Sequence, residues 1–191
     1  YRHWLEQSNV LFIIGGKDWF GVNQDTTFLY GVTPKLWDDT VISPLPRARV
    51  WAGAAAINDV LYLTGGAGPQ GFPLADTLAL DLTDDPLQSP QWDYLTTMPT
   101  ARYGHATAVI GSRFYNIAGF TPEGTERGVT GAVEIFDAAK GRWEVRKPLE
   151  TARGLCAAGA AADGSGNAVF VMGGFANAPT IYFGDTVRMS P

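Results

Sequence analysis

Short apolar runs that stop abruptly at glycine set the rhythm of this chain. Leu11-Phe12-Ile13-Ile14 runs into Gly15-Gly16, Leu61-Tyr62-Leu63-Thr64 into Gly65-Gly66, and Phe170-Val171-Met172 into Gly173-Gly174. A fourth run, Phe114-Tyr115-Asn116-Ile117, ends in Ala118-Gly119. Short runs rich in β-branched and aromatic residues and bounded by turn formers predict strands. The second glycines fall 50, 53 and 55 residues apart, so the pattern is a repeat.

Other landmarks keep the same beat. Arg49, Arg102 and Arg153 each open a small-residue run, and Arg49 and Arg102 lie 17 residues before their second glycine. For Arg153 the distance is 21, and the excess falls in the turn-like Asp163-Gly164-Ser165-Gly166-Asn167, where a hairpin tolerates insertion. Beyond each glycine pair come a variable loop and a further predicted strand: 25–30, 76–81, 132–137 and 185–189. A lone Trp follows in three units, at Trp37, Trp92 and Trp143.

A period near fifty with these landmarks in fixed order resembles the kelch repeat. The resemblance covers essentially the whole chain and implies an all-β, kelch-type β-propeller. Its four repeats would be blades at about 1–46, 47–99, 100–149 and 150–191, the last stopping before its Trp strand. They form an arc of a larger propeller or a small four-bladed ring, and further blades or copies of the chain are candidates to complete it. Tyr1-Arg2-His3-Trp4-Leu5 reads as a degenerate inner strand or as a closing Trp strand. The absence of an initiator Met reads as processing or as a piece of something longer.

The residue types suit that architecture. Blades converge on the axis, so the innermost strands must be small-sided, as Ala52-Gly53-Ala54-Ala55-Ala56 and Ala157-Ala158-Gly159-Ala160-Ala161 are. Glycine pairs allow conformations closed to other residues and close approach of backbones. Trp37, Trp92 and Trp143 have the bulk to pack between blades, each N–H requiring one acceptor.

Composition narrows the function. Hydrophobic residues are 46% and charged residues 17% of the 191, typical of a folded domain. Net charge is −5 with no basic run, which argues against a nucleic-acid partner, since phosphate binding needs a basic stripe. No apolar stretch is long enough for a membrane-spanning helix. Cys156 is the single cysteine, so neither an internal disulfide nor a cysteine-built zinc site is expected. It reads as a small buried hydrophobe, and the compartment stays open between cytoplasmic and extracellular.

Catalytic constellations are sparse. His3 and His105 are the only histidines. His105 falls in an inner strand, where it either lines the axial channel or sits partly buried on a backbone hydrogen bond. The resemblance includes copper-dependent sugar oxidases, but their ligand set is not assembled here, and no cofactor is expected. Gly66-Ala67-Gly68-Pro69-Gln70-Gly71 matches a dinucleotide fingerprint formally, yet another strand follows where a helix is required. Asp163-Gly164-Ser165-Gly166-Asn167 lacks the spaced carboxylates of a calcium loop. The pairs Asp38-Asp39 and Asp84-Asp85 are adjacent, so on a strand they would face opposite ways. No Ser lies in a nucleophile elbow.

Binding is the better expectation. The resemblance implies that partners dock on the face formed by the post-glycine loops and the starts of the inner strands. There the chain places Trp19, Phe20, Phe72, Phe120, Phe175 and Tyr182, with Arg49, Arg102 and Arg153 recurring beside them. Aromatic and Arg residues dominate binding hot spots, although an Arg recurring in every repeat also suits a brace pairing with an acid. These nine residues are the predicted contact set for a protein, a peptide or a glycan. The alternative is a kelch-like enzyme, a sugar oxidase or sialic-acid epimerase, working in the central channel.

Overall fold

The computed structural model describes residues 9–33, 35–38, 42–83, 90–124, 128–163, 166–177 and 180–190. The segment 1–5, Asp39 and the Asp84-Asp85 pair lie outside the described residues. The named elements are antiparallel strands grouped into four successive main sheets. The first holds β1 (Val10–Ile14), β2 (Thr27–Gly31) and β3 (Leu36–Asp38). The second holds β4 (Gly53–Ile57), β5 (Val60–Thr64), β6 (Asp76–Asp81) and β7 (Asp93–Thr97). In the third, β8 (Ala106–Ile110), β9 (Arg113–Ile117), β11 (Val133–Asp137) and β12 (Arg142–Arg146) pair in that order. The fourth holds β13 (Ala157–Asp163), β14 (Gly166–Met172) and β17 (Thr186–Met189).

The small-sided runs do form the inner strands: β4 packs on β8 and β8 on β13, sheet after sheet. The longer spacing of the fourth unit appears as two strands of seven residues in place of five, with the extra length at the hairpin end. Two of the predicted variable loops carry strands of their own. Between β9 and β11 lies β10 (Phe120–Gly124), and between β14 and β17 the hairpin β15 (Phe175–Asn177) and β16 (Thr180–Tyr182).

Apolar cores lie between sheets. Leu29 of the first sheet packs with Leu61, Leu63, Leu78 and Leu80 of the second. Tyr62 of the second meets Phe114 and Phe136 of the third, and Tyr115, Ile117 and Ile135 of the third meet Val169 and Val171 of the fourth. Alternate residues of each strand face opposite neighbours, so every inner sheet contributes to two cores.

Trp92 and Trp143 sit where the sequence placed them, between sheets. Trp92 is buried and donates its indole N–H to Thr27 Oγ1 at 3.2 Å, while Trp143 donates to Thr77 Oγ1 at 3.1 Å. Trp37 departs from the expected core role. It is more than half exposed and leans on Tyr30 of its own sheet, because no neighbouring sheet covers that face among the described residues.

The glycine pairs join the blades. The first residue of each pair donates its N–H within its own sheet: Gly15 to Thr26, Gly65 to Asp76, Ala118 to Ala132 and Gly173 to Asp185. The second donates to the next blade: Gly16 to the Arg49 carbonyl, Gly66 to that of Arg102 and Gly119 to that of Arg153, at 2.8–2.9 Å. The turn needs a left-handed first residue, with φ of 57° at Gly65 and 64° at Ala118, so Ala118 bears the strain a glycine avoids.

Candidate functional site

The loops after the glycine pairs project from one end of the sheets. In the first two blades they are matching miniature hairpins, closed by bridges between Lys17 and Asn23 and between Ala67 and Pro73. The first is tied together by hydrogen bonds. Asp18 accepts the N–H groups of Phe20 and Val22 and a hydrogen bond from the Gln24 side-chain amide. Asn23 ties it to the next hairpin by donating to the Ala67 carbonyl. This frame holds Trp19 at the turn tip, 96% exposed, with Phe20 beside it at 87%. Phe72 in the second hairpin and Tyr182 in β16 are also largely exposed, and Phe175 is half-buried.

Phe120 does not belong to that exposed set. Its ring is buried between Tyr103 and Phe175, with centroids 5.3 and 5.6 Å away. It fills the space left by two glycines, since a Cβ on Gly154 would collide with it and one on Gly104 would press against it. It supports the surface from beneath.

The three arginines also turn inward. Each is buried, and each places its guanidinium on an acid of its own blade: Arg49 on Asp76 through two bonds of 2.7 Å, Arg102 on Glu134 at 2.6 Å, and Arg153 on Asp185 at 2.7 and 3.1 Å. They also donate to carbonyls at the glycine turns, Arg49 to Gly65, Arg102 to Ala118 and Arg153 to Gly173. Burial pulls the Arg102 pKa down, and the Glu134 carboxylate beside it pulls the other way. Buried side chains whose guanidinium groups are already placed on a carboxylate have no surface to offer a partner, so Arg49, Arg102 and Arg153 are braces and leave the contact set. Their main chains staple the joints between blades while their side chains brace the blades themselves.

Two exposed apolar residues escaped the sequence reading. Two positions after each of these arginines stand Trp51, Gly104 and Leu155, with φ of 59°, 61° and 50°. Gly104 donates its N–H to the Trp51 carbonyl, and Leu155 donates to the Gly104 carbonyl, both at 2.8 Å, so these residues step from blade to blade at the entrance to the inner strands. Trp51 and Leu155 are about half exposed, at 48% and 50%. A bulky residue at positive φ is strained, and Gly104 between them shows what the backbone prefers. From Trp51 the aromatics run on: Trp51 stacks on Tyr103, Tyr103 on Phe120, and Phe120, Phe175 and Tyr182 follow in contact. Lys17 Nζ lies 5.5 Å from the Trp51 ring centroid, a cation–π geometry. The signal for this pair was available in the repeat, as the second residue after each Arg.

His105 does not face solvent. Its Nε2 is 3.3 Å from Thr64 Oγ1, a side-chain partner in the preceding blade and not a backbone group, and Nδ1 has no partner among the described residues. Burial, with Arg102 nearby, pushes its pKa down to about 3, so the imidazole is neutral at ordinary pH. Asn116 donates to the same Thr64 hydroxyl and accepts from Thr107. Within this network only His105 titrates near neutrality when free, which does not equip it for paired acid–base chemistry. Cys156 is half-buried against the third core, and burial raises its thiol pKa. Among the described residues no group of three His, Cys, Asp or Glu side chains gathers as metal ligands, and no helix is long and apolar enough to cross a membrane.

Successive antiparallel sheets of three or four described strands, packed one on the next and joined through glycine pairs, are the blades of a β-propeller. The chain belongs to the kelch-repeat family: residues 4–191 match the KLHDC2/KLHL20/DRC7 Kelch-repeats domain. It is 34% identical over 139 residues to Kelch domain-containing protein 8B of Mus musculus, covering 71% of this chain and 38% of the relative. It is 27% identical over 153 residues to human Kelch repeat and BTB domain-containing protein 2, covering 75% of this chain and 22% of that protein. The solved structure of YjhT superposes with a TM-score of 0.69 at 20% identity, over 86% of this chain and 56% of that one. The chain thus spans well under half the length of these two curated relatives.

Proposed function

We propose that this kelch domain is a non-catalytic interaction module that takes a protein or peptide on the face bearing the post-glycine hairpins. One observation carries the reading: Trp19 and Phe20 are held almost wholly in solvent at the tip of a hairpin that hydrogen bonds of Asp18 and Asn23 tie together. Exposing large aromatics on an ordered loop is unfavourable in isolation and is typical of contact anchors, which lose little entropy on binding. Phe72, Tyr182, Trp51 and Leu155 extend the same apolar surface, with Phe120 and Phe175 as its support.

The test is site-specific photo-crosslinking in a native extract. Photoreactive phenylalanine at positions 20 and 72 should give discrete polypeptide adducts, while the same group at Ser112, in the turn at the other end of the third blade, should give none. The combined Trp19→Ala, Phe20→Ala and Phe72→Ala variant should bind the captured polypeptide at least about a hundredfold more weakly with an unchanged melting temperature. Adducts from position 112 alone, or undiminished affinity in that variant, would sink the proposal. Selective retention of glycans in place of polypeptide would reassign the partner class.

A further inference from the structure

The first two post-glycine hairpins share one backbone and differ at the tip. Asp18 N–H donates to the Val22 carbonyl and Gly68 N–H to that of Phe72, both at 3.0 Å. Gly21 donates back to Asp18 and Gly71 to Gly68, and the two glycines turn at φ of 80° and 82°. Each hairpin closes on its glycine pair, Gln24 donating to Gly16 and Leu74 to Gly66. On this common frame Trp19-Phe20 stands where the second hairpin has Pro69-Gln70. Pro69 and Gln70 are also exposed, in a blade that has a sheet packed on each side. Exposure is thus a property of the tip and not of the blade's place in the chain. The same turn forms around Pro-Gln, so folding makes no demand for Trp19 or Phe20.

The tip also limits what can meet it. At 96% and 87% exposed, Trp19 and Phe20 have almost no atoms of their own chain against them, so they form a projection and not the wall of a groove. The N–H groups of Asp18, Phe20, Gly21, Val22 and Gln24 are all spent inside the hairpin, which leaves few donors for adding an extended strand. The Asp18 carboxylate accepts three hydrogen bonds from within the loop, and Lys17 at its base lies over the Trp51 ring. A lipid surface calls for basic side chains around the aromatics. Here the net charge is −5, and Lys17 is the one cation among residues 17–24.

We propose that Trp19 and Phe20 are a knob that enters an uncharged apolar cleft on a folded protein partner, so that this chain supplies the ligand and the partner supplies the pocket. This rests on the reading of the domain as an interaction module and narrows its partner from any polypeptide to a folded domain. Aromatic side chains bury roughly 150–250 Å² each, and only a concave surface covers a projecting pair on several sides at once. The cleft holds no charge of its own, because the tip offers none to pair with it and an unpaired buried charge is costly. Recognition resides in the dipeptide and its turn. The same pair on the second hairpin, whose backbone is alike, presents the same knob.

The probe is the whole 191-residue chain carrying photoreactive phenylalanine at position 20 in a native extract. The polypeptide in the adduct is identified, then prepared both as the folded protein and as short synthetic peptides spanning its crosslinked stretch. The folded protein should bind with saturation, and the peptides at least about a hundredfold more weakly. Trp19→Pro with Phe20→Gln installs the second hairpin's tip. It should keep the melting temperature and bind the folded protein about a hundredfold more weakly. Adding Pro69→Trp and Gln70→Phe to that variant should return affinity to within about tenfold of the unmodified chain. Peptides that bind as tightly as the folded protein, or affinity that does not return with the moved tip, would overturn the knob and leave the interaction module standing. Retention on vesicles of phosphatidylcholine and phosphatidylserine that the first exchange abolishes would make the target a lipid surface and overturn both. Absence of any polypeptide adduct would remove the module reading, and the knob with it.

Discussion

Trp143 of the third blade hydrogen-bonds Thr77 of the second across the joint between them, 3.1 Å from indole nitrogen to hydroxyl. Trp92 repeats the bond to Thr27 one blade earlier. The large side chain and its polar partner come from different repeats, so each joint is both packed and keyed. Replacing Trp143 with Phe and Thr77 with Val should each cost about 1 kcal/mol or more. The double variant should cost less than the sum, because either change alone removes the same bond. Urea unfolding of the four proteins measures the coupling, and strict additivity would contradict it.

Arg102 and Arg153 make the same pair in different surroundings. Glu134 is buried with Arg102, whereas the Asp185 side chain is half exposed beside Arg153. Removing a buried partner strands the remaining charge, so Arg102→Ala should cost about 3–5 kcal/mol. Arg153→Ala should cost clearly less, because water can solvate Asp185. Equal losses in denaturant unfolding would show that burial of the acid does not set the difference.

Gly65 and Gly111 share a backbone conformation, with φ of 57° and 58°, but not a neighbourhood. A Cβ at Gly111 meets nothing within 4 Å, whereas one at Gly65 runs into the Arg102 carbonyl that carries the next joint. Gly111→Ala should therefore show only the left-handed strain, about 1 kcal/mol. Gly65→Ala should lose roughly 1–3 kcal/mol more through overpacking. Thermal melts of the two variants give the comparison directly.

His105 sets a pH dependence. In the unfolded chain its imidazole takes a proton near pH 6.5, but burial in the folded state defers this to about 3. Between those values the unfolded state binds more protons, so stability falls as pH falls through that window. The loss from this group should reach roughly 2 kcal/mol by pH 5. His105→Gln should flatten the curve between pH 7 and 4 in urea titrations. An unchanged slope would mean that the ring is not held neutral.

Much of the architecture could be read from the chain because it is written three or four times. The glycine pairs, the small inner strands and the role of Trp92 and Trp143 each follow from a position that recurs with one physical demand. The direction of the arginines was less legible. Asp76 and Asp185 stand in register with each other, but Glu134 lies two residues further along, and the sequence does not show which acid a guanidinium will reach. Trp51 and Leu155 were hidden for another reason. What marks them is a backbone angle that only Gly104 betrays, and the two apolar neighbours look ordinary. Phe120 was misplaced because an aromatic in a loop reads alike whether it faces water or fills the space over Gly154.

The bonds that fasten one blade to the next run from the N–H groups of Gly16, Gly66 and Gly119 to the carbonyls of Arg49, Arg102 and Arg153. Both ends are main-chain atoms. Mutation can therefore rewrite most side chains of a blade without touching the coupling, provided the turn keeps its shape. It also makes blades interchangeable parts: a gene segment encoding one of them can be copied or lost, and the flanking units meet through the same connector as before.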